Sequence, residues 1–477
     1  MKNSDNLIRM LVSFALFFGI TLTSFGQAPA NKPAQPQEKD RGQILTETRE
    51  VQSEFKKDPS NGETRFRLAR LLYQAGDFEN AHLLLQPFLD SGKPSNDMLF
   101  LAAELEYLLG RYEKAENLLQ KTIALNPGNL QIQARAQAKL VFTYYQSNQY
   151  AKTTDLFKGL EGKIKLPVWD QMKAFGQDWP YQVVWPQGTK LTETPFVVTD
   201  PLPVISVELQ GRPIHALIDT GADTFILDNE IAASMGIKPI SSMTGTFAGG
   251  KQAEVGFARA DSLKIGETVL KAVPVSLLPT QRFSKGFSGG KYTIGGIVGT
   301  GVLKQFLSTL DYRSGKLTLR RPDEESRQEL TRAASGKSVI EIPFVLAATH
   351  FMMARGQLND KEGLTFFVDS GLASEAAFTA PLQTLKYAGI PIPETKVQEG
   401  IGGGGGGFAT GQFPIKKLGL GPLVQENLKG DYGATPPQSY WRLGFINDGI
   451  ISHQFLRKYA WTIDFTMMKM IFVAAGR

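Results

Sequence analysis

IHALIDTGADTFIL, residues Ile214 to Leu227, places a carboxylate, a hydroxyl and a glycine (Asp219-Thr220-Gly221) where an apolar run of strand type stops and then resumes. Runs of this composition on both sides of a polar turn read as two buried strands. The arrangement returns in LTFFVDSGLASEAAF, residues Leu364 to Phe378, with Asp369-Ser370-Gly371 at the break. A buried strand end is a costly place for an isolated acid. Two acids in matching settings raise the question of whether they meet.

The surroundings of the two acids also match. GIVGTGVLKQFLSTLD (Gly296–Asp311) and GIISHQFLRKYAWTID (Gly449–Asp464) align without a gap, pairing Ile297 with Ile450, Val298 with Ile451, Leu303 with Leu456 and Thr309 with Thr462. The interval from acid to paired segment is 77 residues in the first copy (219 to 296) and 80 in the second (369 to 449). A hairpin pattern leads into each acidic turn, VELQGRPIHALIDTG and RGQLNDKEGLTFFVDSG. A glycine-rich stretch follows each, TGTFAGGKQ and EGIGGGGGGFATG. Short alternating runs with Gly-rich turns, lacking regular helix alternation, are the pattern of a mostly-β region.

Apolar-apolar-Asp-Thr/Ser-Gly, a glycine-rich hairpin, then apolar-apolar-Gly before a short helix resembles the aspartic proteases over residues 196–477. DTGAD is nearest the retropepsin style, and two copies in one chain resemble the two-lobed, pepsin-like arrangement or a fused retropepsin dimer. The resemblance implies a catalytic pair, Asp219 and Asp369, with Thr220, Gly221, Ser370 and Gly371 as the supporting turns. It also implies that Asp223 binds substrate backbone, with flap tips at Gly249 and Gly250 in one lobe and Gly402 and Gly403 in the other. A plain flexible loop competes with a flap for the six consecutive glycines, Gly402 to Gly407. Lobe two departs from the pattern at Leu372, at Ala373 opposite Asp223, at Ser452 opposite Gly299, and at His453.

The chemistry follows from the residue types. Two carboxylates held close together share one proton, because like charges at short range raise one proton affinity. The ionised member takes a proton from a water while the protonated one donates to a scissile carbonyl. No cofactor, metal or covalent intermediate is required. The four histidines, His82, His215, His350 and His453, show no ligand spacing and read as structural. The substrate expected is an extended peptide or protein. A non-catalytic peptide- or protein-binding module on the same fold is the alternative, and pairing of each lobe with another chain is a third possibility.

Upstream, LARLLYQAGDFENAHLLLQPFL and AAELEYLLGRYEKAENLLQKTI repeat a helical spacing, with Gly76 and Gly110, Phe78 and Tyr112, and Ala81 and Ala115 each 34 residues apart. A weaker third copy places Asn148 and Tyr150 at the glycine and aromatic positions. This period resembles tetratricopeptide repeats, in which stacked helical hairpins bury what one hairpin cannot. The implied roles are a protein-docking surface or a stabilising cap, and the residues do not choose between them.

The N-terminus carries Lys2 and Arg9 before MLVSFALFFGITLTSFG, an uncharged run matching an export signal. The expected order is signal at 1–26, proline-rich linker at 27–42, helical repeats at 43–165, connector at 166–195, and β lobes at 196–335 and 336–477. The fold class is thus an all-α repeat array followed by a mostly-β, bilobal acid-protease-like fold, in a periplasmic or secreted protein. At 477 residues, 42% hydrophobic and 21% charged, the chain has material for several cores. Its formal charge of +6 is scattered among acids, which argues against a nucleic-acid tract. There is no cysteine, so disulfides, lipid attachment at cysteine and thiolate metal sites are excluded. A monomer with pseudo-dimeric lobes, free of the membrane after signal removal, is expected.

Overall fold

The computed structural model describes residues 39–90, 94–156, 166–247, 252–284, 290–392, 398–401, 407–433 and 440–473. The expected signal (1–26), most of the linker, and the four expected flap-tip glycines Gly249, Gly250, Gly402 and Gly403 lie outside the described residues.

Among the described residues, six helices build the N-terminal array: α1 (Arg41–Lys57), α2 (Gly62–Gln74), α3 (Phe78–Asp90), α4 (Asn96–Leu108), α5 (Tyr112–Ala124) and α6 (Leu130–Gln146). Helical order starts at Arg41, two residues inside the stretch expected as linker. The cause is a capping box, in which Asp40 accepts from the Gln43 amide and the Gln43 side chain accepts from the Asp40 amide, both at 2.9 Å. Asn61, Ser95 and Asn129 cap α2, α4 and α6 in the same local fashion. The turn residues picked out by the 34-residue period do turn: Gly76, Gly110 and Asn148 have φ of 80°, 72° and 58°. Ala81 and Ala115 are fully buried, letting helices close on one another. In the third unit the second helix is shortened to a 3-10 turn, Tyr150–Thr153.

All three turns abut the β domain. Gly76 leaves no space for a Cβ beside Thr365, and a Cβ on Gly110 would stand 3.0 Å from Met468. Asn148 Nδ2 donates to Gln305 Oε1 at 3.1 Å. Apolar packing is continuous across the junction, where Ala69, Phe78, Leu105 and Leu108 share one core with Met353, Phe367, Leu372 and Phe445. A buried ion pair closes it. Arg41, at the start of α1, donates from Nε to Asp448 Oδ1 at 2.7 Å and from Nη2 to Oδ2, and its Nη1 reaches the Ala75 carbonyl.

The connector folds into the first lobe. Its helix Pro167–Lys173 is followed by strand Gln182–Val184, which pairs with Thr268–Leu277, and strand Leu191–Val198 begins four residues after Gln187. Trp169 and Trp185 pack inward while Trp179 stays exposed.

The two lobes repeat one topology. In lobe one, strand Arg212–Ile218 runs parallel to Ile294–Val298, which pairs antiparallel with Phe225–Leu227. In lobe two, Lys361–Val368 runs parallel to Gly449–Ile451, which pairs antiparallel with Phe378–Ala380. A shared sheet joins the lobes in the order Val339–Pro343, Lys469–Val473, Ala460–Asp464, Leu307–Asp311, Lys316–Arg320, Leu191–Val198. At its centre Thr309 faces Thr462, flanked symmetrically by Ser308↔Ile463 and Leu310↔Trp461. The Thr309 and Thr462 hydroxyls meet at 2.7 Å. These are the two residues that the ungapped alignment pairs, so the internal repeat is also a structural twofold.

Replacing Arg41 by Ala strips a buried carboxylate of its cation, so the unfolding free energy is expected to drop by about 3–5 kcal/mol. Denaturant titration measures this, and a loss under 1 kcal/mol would contradict the account.

Candidate active site

Each acid is delivered by the end of a buried strand. The apolar runs ahead of them carry β-branched and aromatic residues suited to a sheet covered on both faces. The amide of Asp219 donates to the Val298 carbonyl and that of Asp369 to the Ile451 carbonyl, each at 3.0 Å, so the two turns leave their strands identically. Within each turn the glycine amide bonds back to its acid, Gly221 to Asp219 Oδ1 at 2.6 Å and Gly371 to Asp369 Oδ1 at 2.9 Å.

The hydroxyl residues tie one turn to the other. Thr220 N donates to Ser370 Oγ at 3.0 Å, Ser370 N donates to Thr220 Oγ1 at 2.9 Å, and Thr220 Oγ1 donates onward to the Val368 carbonyl at 2.9 Å. The approach is close enough to require glycine on both sides. A Cβ on Gly221 would lie 2.6 Å from Asp369 Oδ1, and one on Gly371 would overlap the Asp219 carboxyl. The six residues singled out for the paired turns therefore come together in one place.

Both carboxyl groups are 0% exposed. Burial pushes the Asp219 carboxyl well above the usual carboxylate range, and the neighbouring Asp369 charge pushes the same way. The Gly221 and Gly371 amides pull it back only in part. The direction is that of a pair retaining a proton above the ordinary carboxylate range. Asp219 Oδ2 has no hydrogen-bond partner among the described residues.

Asp223 lies apart from this contact, 2% exposed beneath the end of α6. Burial raises its carboxyl to about 7, opposed by the backbone amides of its own turn and by Lys304. Lys304 Nζ donates to the carbonyl and side-chain oxygen of Gln146, both at 3.0 Å, and burial lowers its ammonium to about 7. Sequence reasoning passed over Lys304; its one signal is its place in the short helix segment that follows Gly299.

The hairpins flanking the expected flap tips are present as Ser241–Thr246 with Gln252–Ile265 and as Gln398–Ile401 with Gly407–Leu420. Phe247, at the lobe-one end, is fully buried in a cluster that includes Ala222 and Ala373.

The departures in lobe two have physical causes. Leu372 stands where a small residue was expected because it packs into the core shared with the helical array. His453 takes the backbone role of Thr300: its amide donates to the Leu372 carbonyl at 3.3 Å, as that of Thr300 does to Ala222 at 2.9 Å. Its ring lies 4.9 Å from Tyr312, and burial holds its pKa down at about 3, so it is neutral.

Residues 205–302 match the family model for aspartyl protease, and residues 66–129 match that for tetratricopeptide repeat. The chain joins a tetratricopeptide-repeat region to an aspartyl-protease-like domain. The first match covers lobe one, and lobe two of the protease-like domain is connected to it by the shared strand topology. Among solved structures, a retropepsin-like aspartic protease from Rickettsia conorii is similar at 14% identity over 29% of this chain and 93% of its own, with a TM-score of 0.21. No curated protein matches the chain.

The raised Asp223 pKa binds a proton in the folded state that the unfolded chain releases, so this group makes stability fall as pH rises from about 4 to 7. Asp223→Asn escapes that cost. Its stability relative to wild type is expected to climb over the window by up to about 1.4 kcal/mol per pH unit. Denaturant midpoints at a series of pH values check it, and a pH-independent difference would count against the burial of the carboxyl.

Proposed function

We propose that the chain is an exported aspartic endopeptidase that hydrolyses peptide bonds with a water activated between Asp219 and Asp369. The observation that carries this is the reciprocal bonding of Thr220 and Ser370, which holds two buried carboxyl groups against each other. In that setting the member of the pair that holds the shared proton donates it to the scissile carbonyl, and its ionised partner removes a proton from water. The tetrahedral intermediate then collapses as the proton passes to the leaving amine. An extended peptide is held in strand fashion under the two glycine-rich hairpins, with Asp223 accepting from its backbone.

Export rests on the signal pattern of residues 1–26. The array contributes docking. It borders a groove of about 490 Å³ lined by Phe66, Tyr73, Arg70 and Arg135, with Arg442 from the protease-like domain forming part of the wall. A protein held there lies against the same body that carries the carboxyl pair.

Asp219→Asn is expected to lower peptide turnover at least about a hundredfold while leaving the melting curve in place. Mass-spectrometric profiling of a proteome-derived peptide mixture reads the cleavage. Near-normal turnover in the variant would refute the assignment, and tight peptide binding by a wild type that never cleaves would favour the non-catalytic module.

The rate should trace a bell against pH, because one proton must be present on the pair and the other absent. The raised affinity of Asp219 sets the direction of the alkaline limb, above the ordinary carboxylate range. A rate flat across the acid range would exclude the shared proton.

A further inference from the structure

The lobes differ in where they keep a second acid. Lobe one carries Asp223 four residues after Asp219, while lobe two has Ala373 at that position. The next lobe-two residue, Ser374, donates from Oγ to Asp431 Oδ2 at 2.7 Å. Asp431 belongs to strand Leu423–Tyr432, which runs parallel to Phe378–Ala380 with Thr379 opposite Asp431. In lobe one the equivalent pairing sets Ile226 opposite Ser276. A hydroxyl in one lobe is thus replaced by a carboxylate in the other, beside the position where the turn's own acid is missing.

Asp431 is 1% exposed, and its Oδ1 has no hydrogen-bond partner among the described residues. A buried carboxylate with an idle oxygen is expensive. Hydrogen bonding by the Ser374 and Gln412 side chains offsets the burial only in part, and the neighbouring charges oppose each other: Lys429, which attracts it, is exposed and pairs with Glu375 at 3.7 Å, and Glu375 repels it. On its other side Asp431 pairs in register with Gln412, whose strand, Gly407–Leu420, starts at the glycine-rich hairpin. Asp431 is therefore tied on one side to the acidic turn of lobe two and on the other to the strand that continues from its hairpin.

We propose that Asp431 is the lobe-two substrate anchor, a carboxylate that accepts a hydrogen bond from an N–H donor of an extended peptide in place of the acid absent at Ala373. It rests on the proteolytic reading, and it makes Asp431 a positioning residue remote from bond cleavage. The donor is either a backbone amide or a lysine or arginine side chain, and the probes separate the two.

A library of blocked octapeptides is screened with wild type, and the best-cleaved member is assayed with Asp431→Asn, which keeps side-chain volume and an acceptor for Ser374. KM is expected to rise about tenfold with kcat within twofold, the mark of lost uniform binding. The melting temperature should hold. N-methylation at one peptide position reproduces the loss in wild type and adds nothing in the variant if the donor is backbone; norleucine for lysine or arginine does so if it is a side chain. Unchanged KM, or a melting temperature that falls with kcat and KM together, overturns the anchor. Binding of the same library to Asp219→Asn, with and without Asp431→Asn, reads the anchor without turnover and so separates its failure from that of the proteolytic reading. Should the Asn variant not fold, Asp431→Ser mimics the Ser276 of lobe one and takes its place.

Discussion

Asp219 and Asp369 repel each other when both are ionised, and at 0% exposure there is little water to screen them. Their meeting must therefore be enforced by everything around it. Reciprocal Thr220–Ser370 bonds lock the turns, Gly221 and Gly371 remove the side chains that would hold them apart, and the sheet centred on Thr309 and Thr462 fixes the lobes beneath. Burial first, and the nearby Asp369 charge second, raise the proton affinity of Asp219 in this setting. The same arrangement that costs the fold a comfortable carboxylate favours a proton retained on the pair.

Much of this was legible in the residues because a duplicated chain reports on itself. The ungapped match of Gly296–Asp311 with Gly449–Asp464 fixes equivalent positions, and Thr309 with Thr462 proves to be a pair in space. The helical period likewise located Gly76, Gly110 and Asn148, since a sharp turn needs a residue tolerant of positive φ. What stayed hidden depends on contacts between segments far apart in the chain. Lys304 reaches Gln146 and Asp431 reaches Ser374, and neither pairing leaves a local spacing to read. The start of α1 at Arg41 was missed for a related reason, because its capping box hides in a polar, proline-containing stretch.

The helical array is more than an appendage on this domain. Leu372 directly follows the Asp369 turn and is buried in the core that the array completes. Arg41 reaches from α1 to Asp448, immediately before the strand whose Ile451 carbonyl receives the Asp369 amide. Lobe two thus obtains part of its interior from outside itself, which accounts for Leu372 at its acidic turn. Lobe one, braced by the connector helix, meets the array through the Lys304–Gln146 and Asn148–Gln305 hydrogen bonds and through an apolar cluster that Ala272 joins.

The hydroxyl contact between Thr309 and Thr462 has an evolutionary corollary. In an assembly of two separate but identical subunits, every inherited change strikes both halves, and an asymmetric substrate must be met by symmetric walls. Covalent linkage lifts that restriction while a twofold relation stays intact at the threonine pair. Each half is then free to differ, as lobe two does in burying Leu372 against its helical companion, while the acidic turns and the threonine pair keep the twofold.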